Sequence, residues 1–193
     1  MKFTAQVLSK TEEARVHEES LRILAEVGVK FLGKAALPLL KKAGALVDEE
    51  SRIARLPREM VAEALSAAPD SFILGARNPS FDYALPSPIT RYGIDGTAAF
   101  VMDFHTGARR YGTLKDIEQG LRIFQQMDMG VLAWAPTTAS ETPAHSRALH
   151  EFFAMLKFCS KHGEHELHFA DQVPYLVDGL LAVMGSEAAL RQR

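Results

Sequence analysis

Residues 129–136, MGVLAWAP, are the stretch from which the fold of the second half can be worked out. This short apolar run is typical of a buried strand, and a helix pattern follows it at Pro143–Cys159. A second strand candidate lies at Glu164–Phe169, and a second helix pattern follows at Asp171–Met184. Strands that alternate with helices of this length predict parallel β-α-β units.

Repeated β-α-β units close into a (β/α)8 (TIM) barrel, which needs eight units and typically about 250 residues. Residues 113–193 hold about two such units, and the sequence ends at Leu190-Arg191-Gln192-Arg193. The fold class predicted is therefore α/β. An N-terminal α+β module at residues 1–112 should precede the first β/α units of an incomplete barrel at residues 113–193.

The N-terminal module is predicted to begin with helices and to continue as a β-meander. In chain order we expect a helix from Thr11 or Glu12 to Gly28, a helix at Lys34–Ala43, a hairpin within Leu46–Leu56, a helix at Arg58–Ala68, and short strands at Phe72–Ala76, Phe81–Leu85, Arg91–Ile94 and Phe100–Phe104. Turn residues separate these four strands, which favours an antiparallel sheet. Thr113 and Asp116 then resemble a capping box that starts a helix running through Met127.

Composition excludes several classes of protein. The chain is 47% apolar with a net charge of −2, so it has enough material for a core and no basic footprint for nucleic acid. Cys159 is the only cysteine, which excludes an internal disulfide and suits a reducing compartment. The N-terminus lacks an apolar signal core, and no apolar run reaches the roughly 20 residues that span a bilayer. We expect a soluble, cytoplasmic protein.

Four stretches of the sequence resemble the trimethylamine methyltransferase (MttB-like) superfamily. They are His17–Val29 (HEESLRILAEVGV), the segments Leu39–Ala45, Arg52-Ile53 and Leu56–Val61, the pair Ala67–Pro69 and Phe72–Pro79, and Gly96–Asp103 with Thr106-Gly107 and Arg109-Arg110. The resemblance extends over the chain from about residue 12 onward. Its specificity lies in the order and spacing of the four stretches, since none of them alone is a catalytic signature.

The resemblance implies an enzyme that moves a methyl group from a methylated or quaternary amine, such as trimethylamine or glycine betaine, to a corrinoid. The cobalamin-type corrinoid would be carried by a separate partner protein and not bound directly. Trimethylamine enzymes carry pyrrolysine late in the barrel, and no residue here matches that position, so the catalytic residues are expected beyond Arg193. A homo-oligomer is also expected.

Two regions are candidates for binding a methylated ammonium ion, which calls for aromatic faces and a carboxylate. Trp134 lies near the carboxyl end of the first predicted barrel strand, where barrel enzymes place their sites. The alternative for Trp134 is ordinary packing at the barrel mouth. The loop Asp95-Gly96-Thr97 could bring the backbone and one negative charge close to a ligand. The alternative for this loop is a β-turn.

A third candidate is the polar run around His162-Gly163-Glu164-His165-Glu166-Leu167-His168, in which Glu166 and His168 could line the barrel mouth. The same run invites a zinc site. On a strand, however, His165 and His168 point to opposite faces, and no H-E-x-x-H or C-x-x-C pair is present. The prediction is therefore that no metal is bound.

Two hypotheses about function remain open from the sequence. The chain could be the N-terminal portion of a corrinoid-dependent methyltransferase. It could instead be a catalytically silent fragment that serves folding, oligomerisation or docking of the corrinoid protein. An incomplete barrel would leave a strand edge and an apolar face uncovered, so we expect the isolated chain to self-associate.

Overall fold

The structure is a computed structural model that describes residues 6–33 and 35–192. The chain divides into two compact units, the first ending at Asp70 and the second beginning at Ser71. The predicted boundary near residue 113 falls inside the second unit, and the division at residues 112 and 113 stays a prediction. Residues 1–5, Lys34 and Arg193, which the sequence predictions included, lie outside the described residues.

The described part of the first unit holds three helices and one small antiparallel sheet. Its elements are α1 (Lys10–Glu26), β1 (Val29–Lys30), α2 (Ala36–Lys42), β2 (Leu46–Asp48), β3 (Ile53–Arg55) and α3 (Arg58–Ala67), with the strands in the order β1-β3-β2. The predicted hairpin is confirmed by the pairing of β2 with β3. The predicted helices are confirmed to within a few residues at each end.

Local signals explain where α1 begins and ends. Ser9 and Glu12 form a capping box, which satisfies backbone N–H groups of the first turn. Gly28 ends the helix with φ at +81°, and a Cβ at this position would lie 2.6 Å from the carbonyl oxygen of Ala54. Both the left-handed backbone and the close approach of β3 therefore require glycine.

The second unit contains two hairpins and a parallel sheet with helices. The elements are β4 (Phe72–Leu74), a 3-10 turn (Pro79–Phe81), β5 (Tyr83–Leu85), β6 (Tyr92–Gly93), β7 (Phe100–Met102), β8 (Arg109–Tyr111), α4 (Leu114–Gln125), β9 (Gly130–Ala133), α5 (Arg147–Phe158), β10 (His162–Gly163), a 3-10 turn (Ala170–Gln172), α6 (Val173–Met184) and α7 (Glu187–Arg191). The chain is therefore a mixed α/β protein with helices and small sheets.

The parallel sheet has the strand order β10-β9-β6, and it corrects the predicted meander. The antiparallel pairing of β4 with β5 is confirmed. The strand β7 pairs antiparallel with β8, a strand that the sequence analysis did not predict. The assignment of Arg91–Ile94 to the same meander is wrong, because β6 pairs in parallel with β9. The helix α4 lies between these two strands along the chain, and it lets the chain run through β9 in the same direction as through β6. A short strand pattern alone does not reveal such a connection.

The second predicted barrel strand was also placed too late. The prediction was Glu164–Phe169, whereas β10 covers His162–Gly163. The ladder hydrogen bonds end where the Glu164 N–H donates to the carbonyl oxygen of Ala133 at 3.0 Å. Beyond that point the alternating polar pattern of the sequence continues without a partner strand.

The core of the second unit lies between β9 and the helices α4 and α5. Ile117, Leu121 and Phe124 of α4 pack with alanines of β9 and the residues just after it, including Ala133 and Ala135. Alanine on the strand lets both helices approach the sheet closely. The apolar helix α6, by contrast, has no buried residue among those described. This exposure supports self-association, which stays a prediction.

No helix in the described ranges combines the length and the apolar character needed to cross a bilayer.

The start of α4 is joined to the preceding hairpin by a charged network. Thr113 and Asp116 form the predicted capping box, which is confirmed. The Arg110 guanidinium donates to both oxygens of Asp116, at 2.7 and 2.8 Å, and to Asp103 at 3.3 Å. These bonds hold the pKa of Asp116 well below its usual range. Hydrogen bonds from Thr106, together with Arg110, lower the pKa of Asp103 to about 2.

The first prediction concerns the stability of this network in acid. The unfolded chain protonates Asp103 and Asp116 at a higher pH than the folded chain, so the free energy of unfolding should fall as the pH drops from about 4 toward 2. Arg110→Gln should make this fall shallower, because the carboxyl pKa values return toward normal. Urea unfolding followed by circular dichroism checks the slope. Arg122→Gln, which removes an exposed i,i+4 pair with Glu118, is the control. Equal slopes in wild type and Arg110→Gln would contradict the prediction.

Candidate functional site

Asp95 and Trp134 lie opposite each other near the carboxyl ends of two parallel strands. The Ile94 N–H donates to the carbonyl oxygen of Leu132 at 3.0 Å, and the Thr97 N–H donates to that of Ala135 at 2.8 Å. In a parallel pair these two bonds place residue 94 opposite 133 and residue 97 opposite 136. The register therefore puts Asp95 beside Trp134.

Glu164 lies on the other side of Trp134. The pairings of His162 with Leu132 and of Gly163 with Ala133 set the register of β10 on β9. The hydrogen bond from the Glu164 N–H to Ala133 continues it by one residue. Asp95, Trp134 and Glu164 thus form one row across three adjacent chain segments, which we call the acidic row.

The acidic row occupies the face of the sheet that the helices leave uncovered. Ala133 and Ala135 are 1% and 0% exposed and belong to the core beside α4 and α5. Because side chains alternate along a strand, Trp134 between them is directed toward the opposite face, while its partly buried side chain also packs against the core cluster. Trp134 is half-buried, and Asp95 and Glu164 are exposed. The row can therefore contact a solute.

Gly96 fits against the indole of Trp134. A Cβ on Gly96 would lie 2.4 Å from Cδ1 and 2.5 Å from Nε1 of the indole. The indole Nε1 is buried and has no hydrogen-bond partner within the described ranges. The Asp95 carboxylate accepts the Gly96 N–H at 3.0 Å. Glycine at this position is thus required by the packing of Trp134, and the loop and the tryptophan form one structure.

The residues after each strand hold this arrangement in place. Thr97 has φ at +58°, a left-handed conformation that is uncommon for threonine. Its carbonyl oxygen accepts the Thr138 hydroxyl at 3.3 Å, and the carbonyl oxygen of Ala98 accepts the buried Thr137 hydroxyl at 2.6 Å. Side chains from the segment after β9 therefore fix the loop after β6.

The buried side chain of Glu151 joins the segments that follow β9 and β10. The Glu151 carboxylate on α5 accepts the Ala139 N–H at 2.7 Å and lies 3.0 Å from Nε2 of His165. The side chains of Glu151 and His165 are 4% and 2% exposed. Sequence reasoning missed Glu151, because 14 residues separate it from His165 and no local motif links them. The only signal was a charged residue within the apolar face of the helix.

The remaining residues considered in the sequence analysis lie outside the acidic row. Glu166 and His168 lie beyond the end of the β10 ladder and are exposed, so the register does not bring them into the acidic row. Their role stays a prediction. No three His, Cys, Asp or Glu side chains among the described residues are placed to hold a metal ion. Cys159 is buried, and this burial raises the pKa of its thiol.

Comparison with known proteins identifies related sequences. The profile of the trimethylamine methyltransferase (MTTB) family matches residues 2–190. Trimethylamine methyltransferase MttB of Desulfitobacterium hafniense (strain DSM 10664 / DCB-2) is 24% identical over 185 residues, which are 96% of this chain and 37% of the relative. Glycine betaine methyltransferase of strain Y51 is 31% identical over 61% of this chain and 24% of that protein. Proline betaine:corrinoid methyltransferase of Eubacterium limosum is 26% identical over 84% of this chain and 33% of that protein. The matched part of the chain thus spans between about a quarter and little more than a third of the length of these relatives.

The second prediction concerns the contact between Gly96 and Trp134. Gly96→Ala should displace the indole, shift the fluorescence of the chain's single tryptophan and lower the free energy of unfolding by about 1–3 kcal/mol. Gly33→Ala is the control, because a Cβ there meets no atom within 4 Å. An emission spectrum of Gly96→Ala identical to that of wild type would show that the packing is different.

The third prediction concerns Glu151. Glu151→Ala leaves the Ala139 N–H and the His165 imidazole without their buried acceptor and should cost about 3–5 kcal/mol of stability. Glu151→Gln keeps one oxygen acceptor and should cost less. Thermal and urea unfolding measure both, with Glu187→Ala as a control at an exposed helical pair. A cost for Glu151→Ala as small as that of the control would be inconsistent with a structural role for the buried pair.

Proposed function

Because this chain belongs to the trimethylamine methyltransferase family, we propose that it forms part of a corrinoid-dependent methyltransferase. The reaction proposed is transfer of a methyl group from a methylated or quaternary amine to a corrinoid carried by a partner protein. Two relatives support this proposal, because one is named trimethylamine methyltransferase and the other proline betaine:corrinoid methyltransferase. Activity of a complete enzyme is a proposal, because the chain spans 37% of the first of these relatives.

The proposed architecture is a (β/α)8 barrel to which β6, β9 and β10 contribute three successive strands. Two observations support it. The strands are parallel and adjacent in the sheet, and the connections between them contain α4 and α5. In such barrels the substrate site is at the carboxyl ends of the strands, on the loops that follow. The acidic row has this position.

The observation that carries the proposed function is the pairing of Trp134 with Asp95 at the end of the uncovered sheet face. A quaternary ammonium ion needs no further activation, because its nitrogen is already positive and leaves as a neutral amine. The chain has to hold the cation and direct one methyl group outward. An indole face contributes about 0.5–2 kcal/mol to binding such a cation, and a nearby carboxylate adds attraction.

The chain's own residues would therefore bind and orient the amine. During transfer the carbon–nitrogen bond breaks, and its electron pair stays on the departing amine. When bound by its partner protein, the corrinoid supplies the nucleophile that accepts the methyl group. We assign no corrinoid-binding residue to this chain and propose a cytoplasmic, homo-oligomeric enzyme. The exposed apolar side chains of α6, including Tyr175 and Val183, support the self-association.

A catalytically silent docking or folding module is the second candidate function. The apolar exposure of α6 favours it, because a surface of this kind is typical of a site for another protein. The two candidates differ in whether the chain binds a methylated cation.

The fourth prediction is that the chain binds methylated cations at Trp134. Tetramethylammonium should quench or shift the tryptophan fluorescence and raise the melting temperature. A ligand at one hundred times its dissociation constant adds about 2.7 kcal/mol to the free energy of unfolding. Trp134→Leu should abolish the thermal shift, whereas Tyr175→Leu, at an exposed aromatic of α6, should retain it. The neutral analogue tert-butanol should have no effect at equal concentration. A melt that responds to no amine would favour the silent module.

A further inference from the structure

We propose that Glu164 is a substrate-binding carboxylate and that the acidic row selects amine cations without a carboxylate of their own over zwitterionic betaines. This inference rests on the proposed function and specifies its substrate class. The relatives that match the chain include both trimethylamine and betaine methyltransferases, so family membership alone leaves the class open.

The position of Glu164 is fixed by its backbone. Its N–H donates to Ala133 at the last step of the β10 ladder, which places its side chain on the same face as Trp134. The next residue, His165, is held by Glu151 inside the structure. A buried anchor directly after Glu164 limits the movement of the backbone that carries it. The Glu164 side chain itself is exposed and free to meet a ligand.

Two carboxylates on either side of one indole form a negative environment for a ligand. Asp95 and Glu164 each occupy the register position beside Trp134, so a cation over the indole is attracted from both sides. A betaine carries a carboxylate of its own, which lies within a few ångströms of its ammonium group. That carboxylate would enter the field of Asp95 and Glu164, and like charges at this range repel.

Two positive side chains of the second unit, Arg147 and Arg110, are already bound to oxygen atoms of the chain. Arg147 donates to the carbonyl oxygens of Ala139 and Thr142, at 3.2 and 3.1 Å. Arg110 is occupied by Asp116 and Asp103. A betaine carboxylate would have to displace these bonds to gain either of these two guanidinium groups as a partner. The row therefore favours trimethylammonium and tetramethylammonium ions.

The fifth prediction tests this selection by titrating the tryptophan fluorescence with tetramethylammonium chloride and with glycine betaine. Wild type should bind tetramethylammonium about tenfold more tightly than betaine, and Glu164→Gln should weaken tetramethylammonium binding by about the same factor. The affinity of Glu164→Gln for betaine should change less, so the preference for tetramethylammonium over betaine should be smaller in this variant than in wild type. Glu187→Gln, which removes an exposed carboxylate on α7, should leave both affinities unchanged. Sodium chloride at matched ionic strength controls for screening.

Each outcome separates this inference from the proposed function. If wild type binds amines and Glu164→Gln binds tetramethylammonium as tightly as wild type, the assignment of Glu164 is overturned and the proposed function stands. Tighter binding of betaine than of tetramethylammonium by wild type overturns the selection. If wild type binds neither ligand, both the inference and the proposed site fail. Far-UV circular dichroism of Glu164→Gln, expected to match wild type, shows that any loss of binding is not a loss of folding.

Discussion

The close packing of α4 on β9 is the constraint on which the second unit depends. A Cβ on Gly130 would lie 2.5 Å from the ring of Phe124, and one on Gly120 would lie 2.8 Å from the ring of Pro136. Small residues at these two positions let the helix lie directly on the strand, with Ala133 facing the helix. Because side chains alternate, burying the alanine face commits Trp134 to the other face. The position of the candidate site thus follows from the packing of the core behind it.

Elements specified by local interactions could be predicted from the sequence. The capping box of Thr113 and Asp116 is an example, since it is a contact between residues a few positions apart. The parallel pairing of β6 could not be predicted, because its partner lies about 40 residues away beyond a hairpin and a helix. The end of β10 was missed for a related reason. The sequence around His165 alternates like a strand, but the imidazole is held by a glutamate of α5.

The candidate site was predictable in its parts and not in its arrangement. Trp134 and the loop containing Gly96 were selected from the sequence for different reasons, and their contact depends on β6 lying beside β9. Glu164 could not be preferred over Glu166, because only the ladder hydrogen bond to Ala133 distinguishes them. A register error of two residues keeps a side chain on the same face but moves it along the strand, away from the indole.

The two faces of the sheet handle buried and exposed charge in opposite ways. On the helix side, the Glu151 carboxylate is removed from water and receives hydrogen bonds from Ala139 and His165, which compensate its burial. On the uncovered side, Asp95 and Glu164 stay exposed, and the register gives neither a basic neighbour in the acidic row. A carboxylate that is already neutralised has little attraction left for a cationic ligand, whereas an exposed one keeps it. The buried carboxylate of Glu151 therefore holds the segments in place, and the exposed carboxylates of the acidic row are the ones suited to bind a cation.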